Sequence, residues 1–366
     1  MFYWLICFLI KKKYHYILYL SKFLILRSIL SGITAFLICL FFGNLIIKYL
    51  KQFNIRQILR CSKHSNNLLK KDTPTMGGIL IIFSICFSCL IWGDLCQFNL
   101  WIAIFVIICF GIVGAVDDYL KLACKNKNGG LSVSCKYFFE SLIVIGALIC
   151  LYFNSCNNIQ TQLIIPLFNG ICIDVGPIFL LLDYIVVMGS SNAVNLTDGL
   201  DGLVIFPIIT NIGFLCLLIY MFSGIGNIYY CNIPVFFNIK ELIVFCFSII
   251  GSVLGFLWYN CYPAQIFMGD TGSLAIGSAL GIISVIGRQE FFLMITGGIF
   301  ILETMSVIFQ VLYFKYTKGR RLFNMTPLHH HFELKGLHES KIIVRFWIIN
   351  MLFTFIGLFV LIISLI

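Results

Sequence analysis

The chain has 366 residues, 60% of them hydrophobic and only 11% charged, with a mean hydropathy of +1.01. A water-soluble fold of this length has no use for so much apolar surface, whereas a bundle of membrane-spanning helices needs it. The net charge of +10 does not argue for a nucleic-acid partner, because the basic residues gather between apolar runs, where they set membrane orientation.

Met1–Ile10 is apolar and is followed by Lys11, Lys12 and Lys13, the reverse of a signal peptide's order, so residues 1–20 read as a peripheral N-terminal segment. A span needs about 20 mostly apolar residues. Ten are predicted: 22–47, 76–94, 100–118, 136–154, 171–191, 202–222, 240–258, 272–287, 291–314 and 342–366. No linker or repeat interrupts them, so 1–366 reads as one all-α polytopic membrane domain. Most of the 16 cysteines, such as Cys86, Cys109 and Cys246, sit inside apolar runs without metal-type spacing, as small reduced side chains.

The connections alternate in charge. Lys48 to Lys71, Lys121 to Lys136 and Lys315 to Lys341 bracket three strongly basic loops. The stretches 95–99, 155–170 and 223–238 have no Lys or Arg. The positive-inside rule makes the basic loops cytoplasmic. Lys11–Lys13 run against it. Asp117, Asp118, Asp198, Asp201 and Asp270 all fall on the same, cytoplasmic side, which predicts one site at the membrane–cytosol boundary. Acids are rare in such a chain unless they bind something or do chemistry.

Four stretches carry that chemistry. Asp117-Asp118 closes the third span, one acid expected toward the site and the other toward a lysine or metal. In Asn192–Gly202, Asp198 and Asp201 are three apart and share a face if the segment is helical; each precedes a glycine. Phe267-Met-Gly-Asp270-Thr-Gly-Ser273 opens a helix and resembles a loop whose amides face an anion. Asp270 then offers a carboxylate to Mg2+, which binds through one or two carboxylates plus substrate phosphates; the bland alternative is a helix cap. His329-His330-His331 cannot easily turn three rings on one ion, so donors to phosphate oxygens fit better than zinc. Lys70 and Lys71 precede Thr73-Pro-Thr-Met-Gly-Gly78, a helix start suited to a phosphate. Glu303 and Gln310, seven apart, suit interhelical hydrogen bonds.

Together TPTMGG (73–78), VDDYLK (116–121), NAVNLTDGLDGL (192–203), YPAQIFMGDTGSLA (262–275), RQEFF (288–292), ETMSVIFQV (303–311) and PLHHHFELKG (327–336) resemble the bacterial phospho-N-acetylmuramoyl-pentapeptide transferases. These belong to the polyprenyl-phosphate N-acetylhexosamine-1-phosphate transferases. The resemblance implies a ten-helix inner-membrane enzyme that moves phospho-MurNAc-pentapeptide from UDP-MurNAc-pentapeptide to undecaprenyl phosphate, giving lipid I and UMP with Mg2+. It implies catalytic roles for Asp117, Asp118, Asp270 (the metal ligand) and His329. It places Lys70, Asp201, Phe267 and Gly269 at the uracil, and Thr75, Asn195 and Asp198 near the ribose and diphosphate. Lys121, Lys136, His330 and His331 complete the substrate site. It is compatible with a homodimer, for which no residue pattern argues. The departures lie in the first basic loop, at Lys63, His64, Asn67 and Asp72, where the family has a Gly-Pro pair, a histidine and a glycine.

A phosphate monoester is mostly dianionic at neutral pH, its second pKa being near 6, so the lipid phosphate needs little help as a nucleophile. A single in-line displacement is expected, with a covalent aspartyl-phosphate on Asp117 the competing route. Two other functions remain. One is transfer of GlcNAc-1-phosphate to a polyprenyl phosphate. The other is ion-coupled transport, although transporter sites lie near the bilayer midplane and these acids gather at one face.

Overall fold

The computed structural model describes residues 24–53, 73–123, 130–154, 162–165, 171–223 and 239–365. Its helices are α1 (Leu24–Gln52), α2 (Gly78–Trp92), α3 (Phe98–Ala123), α4 (Val133–Asn154), α5 (Phe179–Thr197) and α6 (Ile205–Phe222), then α7 (Leu242–Asn260), α8 (Gly269–Gly287), α9 (Glu290–Thr296), α10 (Gly298–Tyr316), α11 (Leu328–Leu334) and α12 (Glu339–Leu365). Among the described residues nine helices are long and apolar enough to cross a bilayer, all but α2, α9 and α11. The chain is an all-α polytopic membrane protein, as its hydropathy requires.

Two predicted spans differ. The segment 171–191 does not start as a helix: β1 (Gln162–Ile165) and β2 (Ile171–Asp174) pair antiparallel, Leu163 opposite Ile173. The helix begins only after Gly176, at φ 59, and Pro177, a pair that interrupts regular backbone. The segment 291–314 is not continuous either. It breaks at Gly297 into α9 and α10, where Thr296-Gly-Gly removes the side chains that favour a helix.

The centre of the bundle is α8. Every residue from Thr271 to Gly287 is buried, and its glycines allow backbones to approach. A Cβ on Gly277 would lie 2.7 Å from Ser191 Cα, and one on Gly281 2.7 Å from Val187 Cα, both on α5. Gly78 meets the same helix from α2: a Cβ there would sit 2.8 Å from the Thr271 carbonyl carbon. Small residues at such crossings are how membrane helices gain packing energy when lipid is as apolar as the protein interior. The outer helices expose Phe41, Phe153, Trp258, Phe355 and Phe359, which form the lipid-facing surface.

Ion pairs tie the end of the bundle away from the predicted site. Arg27 donates to both oxygens of Glu241 and, at 3.0 Å, to the Trp92 carbonyl. Arg288 Nη1 lies 3.3 Å from Asp183 and 3.5 Å from Glu290, with its guanidinium 4.0 Å from the Phe179 ring centroid. These two arginines are therefore offset locally by acids.

Candidate active site

α3, α5, α7 and α10 end, and α2, α4, α6, α8 and α12 begin, at one face of the bundle, and all five expected aspartates are there. α3 does not stop at the Asp pair but runs on to Ala123. Asp117 and Asp118 are nonetheless both buried, because they face different partners. Asp117 Oδ1 accepts the Leu131 amide at 2.7 Å, and its Oδ2 lies 2.6 Å from Lys121 Nζ, one helical turn on. Asp118 points into the start of α8. Its Oδ1 accepts the Asp270 amide at 3.2 Å, while Oδ2 accepts the Thr271 amide at 3.0 Å and the Thr271 hydroxyl at 2.8 Å.

This corrects the reading of the 267–273 loop. The amides at the helix start do face an anion, but the anion is Asp118 of the same chain, which caps α8 from across the interface. Gly269 makes room for it: at φ 73 it takes a conformation other residues resist, and a Cβ would lie 2.5 Å from Asp118 Oδ2 and 2.9 Å from Thr75 Oγ1. Asp270 is left free to turn outward. Its Oδ2 receives both Lys121 Nζ and Lys136 Nζ at 2.9 Å. Lys121 thus bridges Asp117 and Asp270, with Lys136 3.9 Å from Asp117. Two carboxylates joined through two ammoniums make a site balanced between binding a cation and binding phosphates.

Asp198 and Asp201 do not share a helix face. α5 stops at Thr197, and turns carry the chain past Gly199 and Gly202 (φ 73) into α6. Asp198 is half-buried, and burial and then the charges of Asp270, Asp118 and Asp201 push its carboxyl up to about 7. Asp201, expected at the uracil, is buried; its Oδ2 accepts the Ala264 amide at 3.0 Å, and its own amide donates to Glu339 Oε1 at 3.1 Å. It anchors the loop that leads to Phe267. That loop is zipped to the 73–78 stretch, with Phe267 N donating to Pro74 O and Gly77 N to Phe267 O, both at 2.9 Å. Phe267 and Asn195 are half-buried at the same face, and Thr75 is buried beneath Gly269. Lys70, Lys63, His64, Asn67 and Asp72 lie outside the described residues.

The three histidines diverge. His331 Nδ1 accepts the Asn324 amide at 3.1 Å, and His330 Nδ1 lies 3.1 Å from Glu333. His329, for which the resemblance implies a catalytic role, is fully buried with Nδ1 3.3 Å from Glu303 Oε1. Glu303 also accepts the Leu328 amide at 2.6 Å and the His329 amide at 3.3 Å, so it caps α11. Gln310 accepts the amides of Leu322 and Phe323 at 3.0 and 2.9 Å. Both residues fasten the histidine loop, where simple pairing between spanning helices was expected. Burial holds the His329 imidazole below its ordinary range, with Glu303 opposing. Nδ1–H donates to the carboxylate, which leaves Nε2 of the neutral ring as a lone-pair acceptor. Among the described residues nothing donates to it; it lies against Gly199.

Acids and lysines concentrated at one end of an apolar helix bundle suit a membrane protein that handles phosphate groups. The family model for glycosyl transferase family 4 matches residues 100–288, more than half of the sequence, and the chain belongs to that family. The phospho-N-acetylmuramoyl-pentapeptide-transferase signature 1 matches residues 70–82. The chain is accordingly a bacterial multi-pass membrane phospho-sugar transferase with a nucleotide-sugar substrate and a lipid carrier. It transfers phospho-MurNAc-pentapeptide, making lipid I in peptidoglycan synthesis.

Proposed function

We propose that the transfer takes place at the Asp117–Asp270 cluster, that this end of the bundle faces the cytoplasm, and that the reaction depends on Mg2+. The observation that carries the reading is Asp270 Oδ2, one oxygen shared by two ammoniums beside Asp117. Such an oxygen is a hard, anionic donor that already holds cations, the kind Mg2+ takes once an ammonium gives way. Among the described residues no three acid, His or Cys side chains converge as a ready-made metal cage. That fits an ion that takes one or two carboxylates and completes its shell with water and substrate phosphates. Bound there, the ion supplies charge neutralisation for the diphosphate.

The chain's own groups do the rest. Asp117, buried and fixed by Leu131 N, orients the lipid phosphate. An oxygen of that phosphate bonds to the sugar-bearing phosphorus as the bond from that phosphorus to the bridging oxygen breaks, and UMP leaves with the oxygen and the electron pair. Lys121 and Lys136 meet phosphate oxygens, offsetting the repulsion between anionic partners. Asp118 positions Asp270 through the α8 start, and Asp201 and Thr75 position the Phe267–Gly269 loop where the uracil binds, with Asn195 and Asp198 beside the ribose and diphosphate. His330 and His331 stand at the rim for phosphate contacts, while His329 holds the Gly199 turn. Lys48, Lys51, Lys315, Lys318, Arg320 and Arg321 cluster at this end, which supports the cytoplasmic orientation.

The test is turnover with purified enzyme, undecaprenyl phosphate and each of UDP-MurNAc-pentapeptide and UDP-GlcNAc. UMP release and a lipid product from the first only, abolished by EDTA and restored by Mg2+, is expected. Activity with EDTA present would overturn the metal assignment. A phosphorylated enzyme trapped without lipid would replace the single displacement by a covalent route.

A further inference from the structure

One buried carboxylate beside the site has no part in the scheme above. Glu140 is on α4, one helical turn beyond Lys136, and is wholly buried. Asn192 Nδ2 on α5 donates to Oε2 at 3.1 Å and to the Met188 carbonyl at 3.0 Å. Among the described residues no donor reaches Oε1. Next to it, Ser141 Oγ and Tyr184 hydroxyl meet at 2.7 Å, so α4 and α5 are pinned together on both sides of this carboxylate. An acidic oxygen left without a donor inside a membrane helix bundle is costly. A bond to Asn192 alone does not account for it, since a glutamine makes the same bond without the charge.

Lys136 supplies the reason. In the structure its ammonium sits on Asp270 Oδ2, which already holds Lys121, and is 3.9 Å from Asp117. A divalent cation on Asp270 cannot share that oxygen with two ammoniums. Lys121 keeps its 2.6 Å contact to Asp117, so Lys136 is the one to be displaced. Side chains four apart on a helix are neighbours, and Glu140 Oε1 is an uncommitted anion at that spacing, held still by Asn192.

We propose that Glu140 is a positioning residue: its free oxygen receives the Lys136 ammonium when Asp270 releases it to a divalent cation. The inference rests on the reading of Asp270 as the cation's ligand. Glu140 then lowers the cost of loading the site and sets Lys136 where the substrate phosphates arrive.

The experiment measures Mn2+ binding by electron paramagnetic resonance on the purified full-length enzyme without substrates, so turnover is not the readout. Glu140→Gln keeps the bond to Asn192 and loses the charge; it is expected to weaken Mn2+ binding about tenfold. In a Lys136→Met background the same change is expected to matter less than about twofold, because the displaced ammonium is gone. Asn192→Ala, which keeps the Glu140 carboxylate but loses its donor, is expected to weaken Mn2+ binding clearly less than Glu140→Gln, about threefold at most. Unchanged binding in Glu140→Gln overturns the proposal, as does equal weakening in both backgrounds, which is bare long-range attraction. Equal weakening by Asn192→Ala also overturns it, since the role is then only structural. Asp270→Asn separates the two levels. Loss of Mn2+ binding there leaves the Asp270 reading standing whatever Glu140 does, and retained binding removes both.

Discussion

Gly199 and His329 occupy the same space: a Cβ on Gly199 would lie 2.8 Å from the imidazole Cε1 and overlap Nε2. The turn after α5 and the histidine helix α11 thus touch through a position that admits only hydrogen. Gly199→Ala must push the ring away from Glu303 or tilt the Asp198 turn. The expected result is a loss of about 1–3 kcal/mol of stability, the usual range for overpacking, with a larger fall in activity. Thermal unfolding in detergent and UMP release check it; a variant matching the wild type in both would show that the contact is slack.

Asp118 joins two helices through three hydrogen bonds to Asp270 and Thr271. Asp118→Asn keeps the shape but turns one acceptor into a donor facing donors. About 1–2 kcal/mol of stability should be lost with the cap. Because Asp270 shifts with the start of α8, activity should fall about a hundredfold. A variant unfolding early yet turning over normally would separate the cap from the chemistry.

Burial of His329 makes stability depend on pH with a definite sign. Its imidazole is held below the ordinary value of about 6.5 in the folded chain. Below that pH the unfolded chain binds the proton more readily, so stability falls as pH drops under about 6.5 and is level above it. In His329→Gln this component of the slope should vanish. Unfolding midpoints between about pH 7.5 and 5 decide the matter; parallel curves for the two proteins would refute it.

Gly78 abuts the backbone of α8, with a Cβ placed 2.8 Å from the Thr271 carbonyl carbon. Backbone cannot step aside as a side chain can. Gly78→Ala is expected to prevent accumulation of folded protein. Gly146, where a Cβ meets nothing within 4 Å, should accept alanine, gaining up to about 1 kcal/mol from helix propensity. Yield and unfolding temperature of the two variants provide the comparison.

Most of the spans, and the gathering of the five aspartates at one end of the bundle, were legible in the sequence, because apolar length is what a bilayer demands and alternate connections return to the same side. Inner and outer helix faces were not. Lipid and protein interior are equally apolar, so α8, buried on every side, reads like α12, which is half exposed. The break at Gly297 was hidden in an apolar run, with Thr296-Gly-Gly its only mark. Which carboxylates face substrate was also out of reach. Asp118 and Asp201 spend their oxygens on amides of distant segments, and spacing along the chain carries no trace of such partners. Glu140 drew no notice because a lone acid in an apolar run lacks a motif; its depth inside span 136–154 was the available signal.

The fully enclosed α8 has one more effect. A rod of glycines, serines and aliphatic side chains, wrapped by α2, α3, α5 and α6, plugs the middle of the bundle. Asp270, in the first turn of that rod, is therefore mounted on the most enclosed helix of the bundle, and the cluster around it inherits the rigidity of the whole core.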